Sequence, residues 1–487
     1  MNIASHLFLI YLFPIFLVVW YLIGLLKFYK LSILILLGIS LIFYGWANPV
    51  YIPYLLGSAI FNYLISLGLS SASGRLRKGF LIISVGLNIA YLAIFKYYNF
   101  FVSSFNEVFD TEFVTLKLIV PLGISFFTFQ QIAYLVDIFR DCRKEYRYSI
   151  LEYLAYITYF PIIVSGPITL HSELIPQFRD KMAYKFNYQK FGKGITLLCL
   201  GLGMKILLAE PLGKLATFGY SSKSPSALLS AISIISYTLQ IFYDFAGYSN
   251  MARGISAMLG FDLPKNFDSP YKALSIGDFW KRWHMSLTHF LTVYVYFPLG
   301  GNRKGKIRQM INIMAVFLIS GLWHGANWTY LVWGGLHGIS SVIDKVITKW
   351  WIKIPKMIRW FCIFILVNLI WVFFRSESLE QAMKMLSALF NQNYTLPSEL
   401  WSVASTVVFS TLSIMITMFK TNVEIFNILW TITIIIISMI ISVFLNNADK
   451  LSDIKPKQNS KAFICGLIFC LSLFHLSTVS TFIYAGY

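Results

Sequence analysis

The sequence is poor in charged residues and in cysteine. Only 13% of its 487 residues are charged, whereas 57% are hydrophobic, which is more apolar surface than a soluble domain can bury. The five cysteines are scattered, with no CxxC pair and no cysteine–histidine cluster at metal-site spacing, so neither a disulfide framework nor a zinc site is expected. The sequence also lacks the GxxxxGK[ST] loop of P-loop NTPases and the GxSxG elbow of serine hydrolases, which argues against both classes.

Long apolar runs are abundant instead. Their lengths are close to that of a membrane-spanning helix, and examples are residues 7–26, 31–46, 80–95, 195–208, 228–245 and 427–445. They predict an all-α polytopic membrane protein with about a dozen membrane segments. No soluble domain interrupts the runs, so one transmembrane domain is expected over residues 1–487. The first run has no cleavage site after it and is expected to remain as an anchor.

The net charge of +19 belongs to this membrane topology. Lysine and arginine fall in short loops between apolar runs, as the positive-inside rule expects, so the charge does not indicate nucleic-acid binding. Lys27 and Lys30 follow the first run, and Arg75, Arg77 and Lys78 follow the third. These loops are predicted to face the cytoplasm, with the N-terminus outside.

Two apolar stretches are predicted to enter and leave the membrane on the same side. Residues 150–169 lie between two basic clusters and are broken at Pro161 and Pro167. The stretch between Arg282 and Arg303 shows the same pattern. Irregular backbone at that depth needs a protein wall or a water-filled cavity beside it. We therefore expect re-entrant segments and a cavity.

His324 stands out because it is predicted to lie inside the bilayer, in the sequence GLWHGANW of residues 321–328. A helix rising from the basic cluster at Arg308 would place it about 24 Å from the cytoplasmic side. A buried imidazole can act as a general base or can simply stabilise helix packing. The small residues Gly321, Gly325 and Ala326 are expected to leave open space around the ring, and that favours catalysis.

The remaining histidines are less informative. His284 and His289 are five residues apart, so on a helix they would point away from each other. His284 lies beside Trp283, Lys281 and Arg282. It could bind a phosphate or assist His324, and an interfacial histidine is the alternative. A structural role is favoured for the others, which are His6, His171, His289, His337 and His475.

Acidic and basic side chains near the expected cavity divide into two groups. Asp137 and Asp244 lie in apolar surroundings, and each is expected to pair with a buried lysine or arginine. Basic residues near the cavity mouth could receive an anionic donor, and they are Lys265, Lys272, Lys281 and Arg282.

Several motifs together resemble one family. They are PLGISFFTFQ (121–130), YFPIIVSGPITLHSELIPQF (159–178), DFAGYSNMARG (244–254), the segments 266–283, 283–303 and 321–328, and WVFFR (371–375). This combination resembles the membrane-bound O-acyltransferase (MBOAT) family, in particular its bacterial alginate O-acetylation and peptidoglycan O-acetyltransferase branch. The resemblance covers nearly the whole chain, with a core motif region at 115–345.

The resemblance implies a helical bundle with a central tunnel. His324 would be the catalytic histidine and His284 the second motif histidine. The resemblance also implies an acyl donor arriving from the cytoplasm and a hydroxyl acceptor on the outer side. The motif region is then expected to bind the donor through Asn266, Trp280, Lys281 and Arg282.

The C-terminal helices, residues 358–487, end in FIYAGY. In some relatives a tyrosine in such a motif is thought to carry the acyl group onward, and here it would be Tyr484. Tyr487 stands where phenylalanine is usual, and interfacial anchoring by terminal aromatics is the alternative. A further departure is Thr292-Val293, where relatives usually carry Arg-Asp.

The preferred interpretation is an O-acetyltransferase, multi-pass in the cell inner membrane. It would move acetyl from cytoplasmic acetyl-CoA to an exported polysaccharide or cell-wall glycan, directly or through an extracytoplasmic partner protein. Neither a permanently bound cofactor nor a metal is expected. The alternatives are D-alanyl transfer from a carrier protein to teichoic acid, a glycan transporter or flippase, and an inactive scaffold.

Overall fold

The computed structural model describes residues 3–141, 146–397, 399–400, 423–445, 447–452 and 459–476. Every regular element in these ranges is a helix. This confirms the all-α class predicted from the apolar runs. It follows from the composition, because a chain in hydrocarbon must satisfy its backbone hydrogen bonds internally.

The helices are numbered in chain order. They are α1 (Phe13–Leu25), α2 (Tyr29–Gly45), α3 (Tyr51–Ser71), α4 (Gly74–Leu92), α5 (Tyr98–Phe109), α6 (Ile124–Arg140), α7 (Ile150–Thr158), α8 (His171–Arg179), α9 (Tyr188–Gly203), α10 (Glu210–Ser221), α11 (Ala227–Met258), α12 (Ile276–Arg282), α13 (Met285–Leu291), α14 (Lys306–His324), α15 (Trp328–Trp351), α16 (Lys356–Arg375) and α17 (Leu379–Ala388). Three more helices are Val423–Val443, Ala448–Ser452 and Asn459–His475. Short π-helical turns occur at Leu7–Leu12, Ala93–Tyr97, Met204–Ala209 and Thr292–Tyr296.

Six helical stretches among the described residues are long and apolar enough to cross a membrane. They are Leu7–Leu25, Tyr51–Ser71, Gly74–Phe109, Tyr188–Ser221, Ala227–Met258 and Lys356–Arg375. Three shorter apolar helices add to them, Tyr29–Gly45, Trp430–Val443 and Ser460–His475. The chain is therefore a multi-pass membrane protein.

The chain folds into two compact units. The first comprises Met1–Ile195 and Ala252–Pro264, and the second comprises Thr196–Met251 and Lys265–Tyr487. Two of the three boundaries fall within α9 and α11, and the third follows Pro264, in the segment between α11 and α12.

In the first unit, α6 packs against α3 and α4 around a buried amide network. Asn62 and Asn88 exchange hydrogen bonds at 3.1 and 2.6 Å, and Asn62 Nδ2 also donates to Gln131 Oε1 at 2.9 Å. Polar side chains that bond across helices hold membrane bundles together, since lipid offers these groups no partner. The network therefore fixes how these three helices pack.

The connection between α7 and α8 is irregular and completely enclosed. All residues from 159 to 170 are buried, and Thr169 O accepts hydrogen bonds from Tyr156 Oη at 3.0 Å and Gln130 Nε2 at 3.3 Å. Protein groups thus supply the wall that irregular backbone at membrane depth requires. Whether this stretch re-enters the membrane remains a prediction.

The two membrane acids both have partners. Asp137 lies 3.1 Å from His171 Nε2 and 4.0 Å from the Arg140 guanidinium. Asp244 forms a buried ion pair with Lys205, which lies in the π-helical turn Met204–Ala209. The expected pairing of Asp244 with a buried base is therefore confirmed. Asp137 instead has a histidine and a partly exposed arginine as its partners.

In the second unit, α14 and α15 form a close antiparallel pair, and α12 and α16 pack against α15. α14 ends at His324, because Gly325 is extended and Asn327 caps the next helix by accepting from Thr329 N at 3.0 Å. The turn between the two helices therefore presents His324 at the end of α14.

Candidate active site

His324 is enclosed by aromatic rings and is only 2% exposed. The centroid of its ring lies 4.8 Å from the ring centroid of Trp323, and 5.0 Å from those of Trp333 and Phe374. These rings come from α14, α15 and α16. They provide the dry, apolar surroundings in which an imidazole can act as a base without competing water.

The expectation that small residues leave open space at His324 is wrong. A Cβ atom added to Gly321 would lie 2.4 Å from Tyr330 O, and one added to Gly325 would lie 2.1 Å from the Tyr330 ring. Gly334 on α15 faces Gly321 and is equally crowded. These glycines allow α14 and α15 to approach closely, as small residues do between membrane helices.

This packing makes a direct prediction. Gly321→Ala should destabilise the protein by about 1–3 kcal/mol, because the methyl group would push Tyr330 and α15 away from α14. Gly335→Ala is the matched control on the same helix pair, because its added Cβ would meet only Leu318 Cδ2, at 4.0 Å. Thermal unfolding in detergent should show a lower Tm for Gly321→Ala alone. Equal Tm values for the two variants would disprove the close contact.

His284 does not lie on a helix, contrary to the expectation from its spacing to His289. It precedes α13 in the left-handed conformation, with φ of 45°, which is uncommon for a residue other than glycine. The imidazole is completely buried, whereas His289 on α13 is exposed. The sequence pattern could not show this, because helix spacing carries no information about the residue before a helix.

The two histidines are neighbours. Their ring centroids lie 6.5 Å apart, and Trp323 lies 5.9 Å from His284. Phe245 from α11 covers His284 edge-on at 4.7 Å. The structure therefore brings together the two histidines that the sequence placed forty residues apart.

A short backbone pairing holds His284 in place. Asp268 N donates to Arg282 O at 2.9 Å, and Met285 N donates to Asn266 O at 2.9 Å. The pairing lays the segment before α12 beside the residues around His284. It offsets the cost of the left-handed backbone, which is of order 1–3 kcal/mol.

Asn266 fixes the tautomer of His284. Asn266 Oδ1 accepts from the Ser286 backbone N–H at 3.3 Å and from Ser286 Oγ at 2.9 Å. Because a backbone N–H can only donate, the Asn266 atom facing it is oxygen, and His284 Nδ1 at 3.1 Å must donate to it. Burial disfavours the imidazolium form. His284 Nε2 therefore carries a lone pair, and it has no hydrogen-bond partner among the described residues.

Asp268 anchors the segment that carries Asn266. Lys265 Nζ lies 2.9 Å from Asp268 Oδ1, and Asn447 Nδ2 donates to the same oxygen at 2.5 Å. Burial raises the pKa of the Asp268 carboxyl, but the hydrogen bond and the charge of Lys265 outweigh burial, so its pKa lies below the ordinary value. The carboxylate therefore stays ionised at neutral pH and retains both contacts.

A cavity of about 610 Å³ opens between α12, α13, α14 and α15. Its lining residues are Ser275, Gly277, Asp278, Trp280, Lys281, Leu287, Thr288, Leu291, Thr292, Tyr296, Ile313, Val316, Phe317, Ser320, Ser341, Asp344, Lys345 and Thr348. Ser320 lies one helical turn before His324. Trp280 contacts Trp333 at 5.8 Å, and Trp333 in turn contacts His324. Aromatic rings thus lie between the cavity and the histidine pair.

The four residues expected to bind a donor lie in two places. Trp280 and Lys281 line the cavity, and Lys281 is exposed. Arg282 pairs with Asp278 at 2.8 Å, and Asn266 is buried beside His284. Trp280 also contacts the buried His337 at 4.9 Å.

Several groups that complete the site were not predicted from the sequence. Phe245, Trp333, Phe374 and Ser286 surround the two histidines, and Phe374 belongs to the WVFFR motif noted above. Tyr484 lies outside the described residues. Among the residues described, no group of three histidine, cysteine or acidic side chains could hold a metal ion.

The fold and site define a polytopic membrane protein whose core holds two adjacent buried histidines beside an amphipathic cavity. The model of the MBOAT, membrane-bound O-acyltransferase family matches residues 140–377. The chain is 38% identical over 383 residues to the peptidoglycan O-acetyltransferase of Helicobacter pylori, covering 73% of each protein. It is 34% identical over 398 residues to the probable alginate O-acetylase AlgI of Pseudomonas aeruginosa, covering 80% of this chain and 75% of that protein.

A more distant relative is the teichoic acid D-alanyltransferase of Streptococcus thermophilus, 27% identical over 261 residues, which are 50% of this chain and 60% of that protein. The chain belongs to the membrane-bound O-acyltransferase family. It is a membrane O-acyltransferase, as its sequence motifs predicted.

Proposed function

We propose that this protein transfers acetyl groups from cytoplasmic acetyl-CoA to hydroxyls of an exported polysaccharide or cell-wall glycan, in the cell inner membrane. Transfer is direct or passes through an extracytoplasmic partner protein. The names of the two most similar relatives reported above support acetyl transfer to a glycan. The observation that carries the chemistry is the buried pair of His284 and His324, with ring centroids 6.5 Å apart.

In the proposed reaction, His324 takes the proton from the acceptor hydroxyl as its oxygen attacks the thioester carbonyl. The new C–O bond forms, and the C–S bond breaks once the tetrahedral intermediate collapses. The proton returns from His324 to the departing thiolate, so the histidine is unchanged after a turnover. The rings of Trp323, Trp333 and Phe374 exclude water that would otherwise hydrolyse the thioester.

The hydrogen bonding of His284 limits what it can do. Its Nε2 atom is an acceptor in the neutral tautomer, so it cannot donate a hydrogen bond to the thioester carbonyl. It can accept one from an amide N–H of the donor's pantetheine arm or from the acceptor hydroxyl. We assign His284 the role of orienting a reactant beside His324.

The cavity offers a route for the donor. Lys281 and Lys345 line the cavity and are exposed, and neither forms an ion pair with a described carboxylate. Both acids there are already engaged, since Asp278 pairs with Arg282 and Asp344 Oδ2 accepts from Gly277 N at 2.9 Å. The free ammonium groups suit the phosphates of acetyl-CoA. Displacement of Trp280 would then connect the cavity with the histidines.

The function is tested by chemical analysis of surface glycans. Ester-linked acetate, ester-linked D-alanine and total glycan are measured in cells with the wild-type protein, with His324→Ala at matched membrane level, and with no protein. We expect acetate to be lost in the last two while glycan yield and D-alanine are unchanged. Loss of D-alanine ester alone would replace acetyl by D-alanyl transfer, and loss of exported glycan would indicate a transporter.

If the acyl group passes through Tyr484, as the resemblance of the terminal motif implies, a separate prediction follows. Tyr484→Phe removes the only atom of that side chain that could carry an acyl group, so transfer to the glycan should stop while the membrane level of the protein is unchanged. Tyr487→Phe is the matched control and should retain transfer. Anchoring by aromatic rings would instead leave both variants active, because phenylalanine retains the ring.

A further inference from the structure

Residues 98–120, here called the finger, consist of α5 and an irregular segment that folds back along it. The helix continues from α4 through the π-helical turn Ala93–Tyr97 into α5. The chain then turns at Asp110, which is left-handed, and returns beside α5 without regular structure. All residues of the finger belong to the first unit, and none of them is buried.

Two asparagines on one side of α5 hold the returning chain. Asn99 Nδ2 donates to Leu116 O and Asn99 Oδ1 accepts from Leu116 N, both at 2.8 Å. Asn106 does the same with Phe113, at 2.9 and 3.0 Å. Each asparagine thus pairs the N–H and C=O of one residue, as a neighbouring strand would. The finger is therefore an ordered element with its own hydrogen bonds.

The finger exposes four phenylalanine rings, three on α5 and one on the returning chain. Exposed fractions are 57% for Phe101, 45% for Phe105, 63% for Phe109 and 60% for Phe113. Phe101, Phe105 and Phe109 lie on α5 and are spaced four residues apart, so they form one stripe along the helix. A groove of about 490 Å³ runs along this stripe and is lined by Ala93, Ile94, Tyr98, Phe101, Val102, Phe105 and Phe113. A water-exposed apolar surface of this kind is unfavourable for a soluble element.

Helix length places the finger relative to the bilayer. The stretch Gly74–Phe109 has 36 residues, about 54 Å if straight, against a hydrocarbon thickness of about 30 Å. Arg75, Arg77 and Lys78 put its beginning on the cytoplasmic side. The π-helical turn begins about 29 Å further along, at the outer edge of the hydrocarbon. π-bulges are sites where helices kink, so the helix can bend there and lie along the membrane surface.

The groove suits acyl chains better than a peptide. Its lining side chains offer no hydrogen-bonding groups apart from the Tyr98 hydroxyl. The backbone groups of Phe113 and Leu116 in the returning chain are already paired with Asn106 and Asn99, which limits the edge available to an added strand. Exposed apolar side chains also occur on α4, at Ile82 and Ile83, and in the π-helical turn, at Ile94.

We propose that the finger is an interfacial membrane anchor that lies in the outer leaflet, with its phenylalanines among lipid acyl chains and the exposed Glu107 towards water. This is the arrangement of an amphipathic interfacial helix. The partner is the lipid surface itself. The inference is independent of which acyl group the protein transfers.

Cysteine labelling tests this placement. In a variant whose five native cysteines are serine, single cysteines replace Phe105, Phe109 or Glu107, the last being the matched control on the polar side. A membrane-impermeant maleimide is applied to intact cells and to the purified protein in phosphatidylethanolamine–phosphatidylglycerol vesicles. The protein is reconstituted at a low protein-to-lipid ratio, so that most vesicles that contain the protein hold a single molecule of it. Labelling after denaturation in SDS gives the total reactive thiol in each sample.

Since maleimide reacts with the hydrated thiolate, Phe105→Cys and Phe109→Cys should label roughly tenfold more slowly than Glu107→Cys in both cells and vesicles. Equal rates for all three variants would place the finger in water and overturn the proposal. Protection of the two phenylalanine positions in cells but not in vesicles would also overturn it, because another protein would then cover the stripe.

Discussion

Replacing His324 by alanine is expected to lower the rate of ester formation by about two to four orders of magnitude, the usual contribution of a general base. His324→Gln should lower the rate of ester formation by the same factor, because glutamine fills most of the imidazole volume but cannot accept the proton. The measurement is the initial rate of acetyl transfer from acetyl-CoA by the purified protein, at saturating donor. If the loss lies in kcat and not in KM, the imidazole acts in the transition state.

The controls separate chemistry from packing. His289→Ala removes an exposed imidazole from neighbouring α13 and should retain wild-type activity. His324→Gln should also retain a Tm close to that of the wild-type protein, since the aromatic enclosure remains filled. A glutamine variant that keeps more than roughly a tenth of the rate would be incompatible with general-base catalysis by His324.

The helices were predictable because a membrane leaves few alternatives. Long apolar runs such as residues 228–245 can satisfy their backbone groups only as helices, and α11 covers this run. Irregular backbone was also predictable at Pro161 and Pro167, since proline cannot continue the hydrogen-bond ladder. The sequence could predict that Asp244 pairs with a buried lysine or arginine. It could not identify Lys205 as that residue, because the sequence does not show which side chain faces Asp244.

The details of the site were less predictable, for two physical reasons. Gly321 and Gly325 fit equally well with open space and with close helix contact, and only the position of Tyr330 distinguishes the two. The left-handed backbone of His284 depends on pairing with a segment that begins eighteen residues earlier, at Asn266, and extends to Asp268. Local spacing carries no information about such pairing, so it could not show that the Asn266 side-chain oxygen faces His284.

The orientation of His284 by Asn266 leads to the second large effect. Asn266→Leu removes the acceptor that fixes the tautomer, and activity should fall roughly ten- to a hundredfold, the range found for partners that orient metal-bound histidines. Ser286→Ala is the matched control. It removes one donor to Asn266 Oδ1 but keeps the His284 contact and the backbone N–H, so its activity should stay near that of the wild-type protein.

A purely structural role for Asn266 predicts the same loss for Asn266→Leu, so the pH dependence is needed to separate the two. Asn266→Asp keeps an acceptor oxygen in place but adds a negative charge, which favours the imidazolium form and raises the pKa of His284. If His284 must be neutral to accept a hydrogen bond, activity will be lost at a higher pH as the solution is acidified. The acidic limb of the kcat/KM profile should therefore shift upward in Asn266→Asp, with the Ser286→Ala profile unchanged. An unshifted limb in an active, folded Asn266→Asp protein would show that Asn266 does not act through His284.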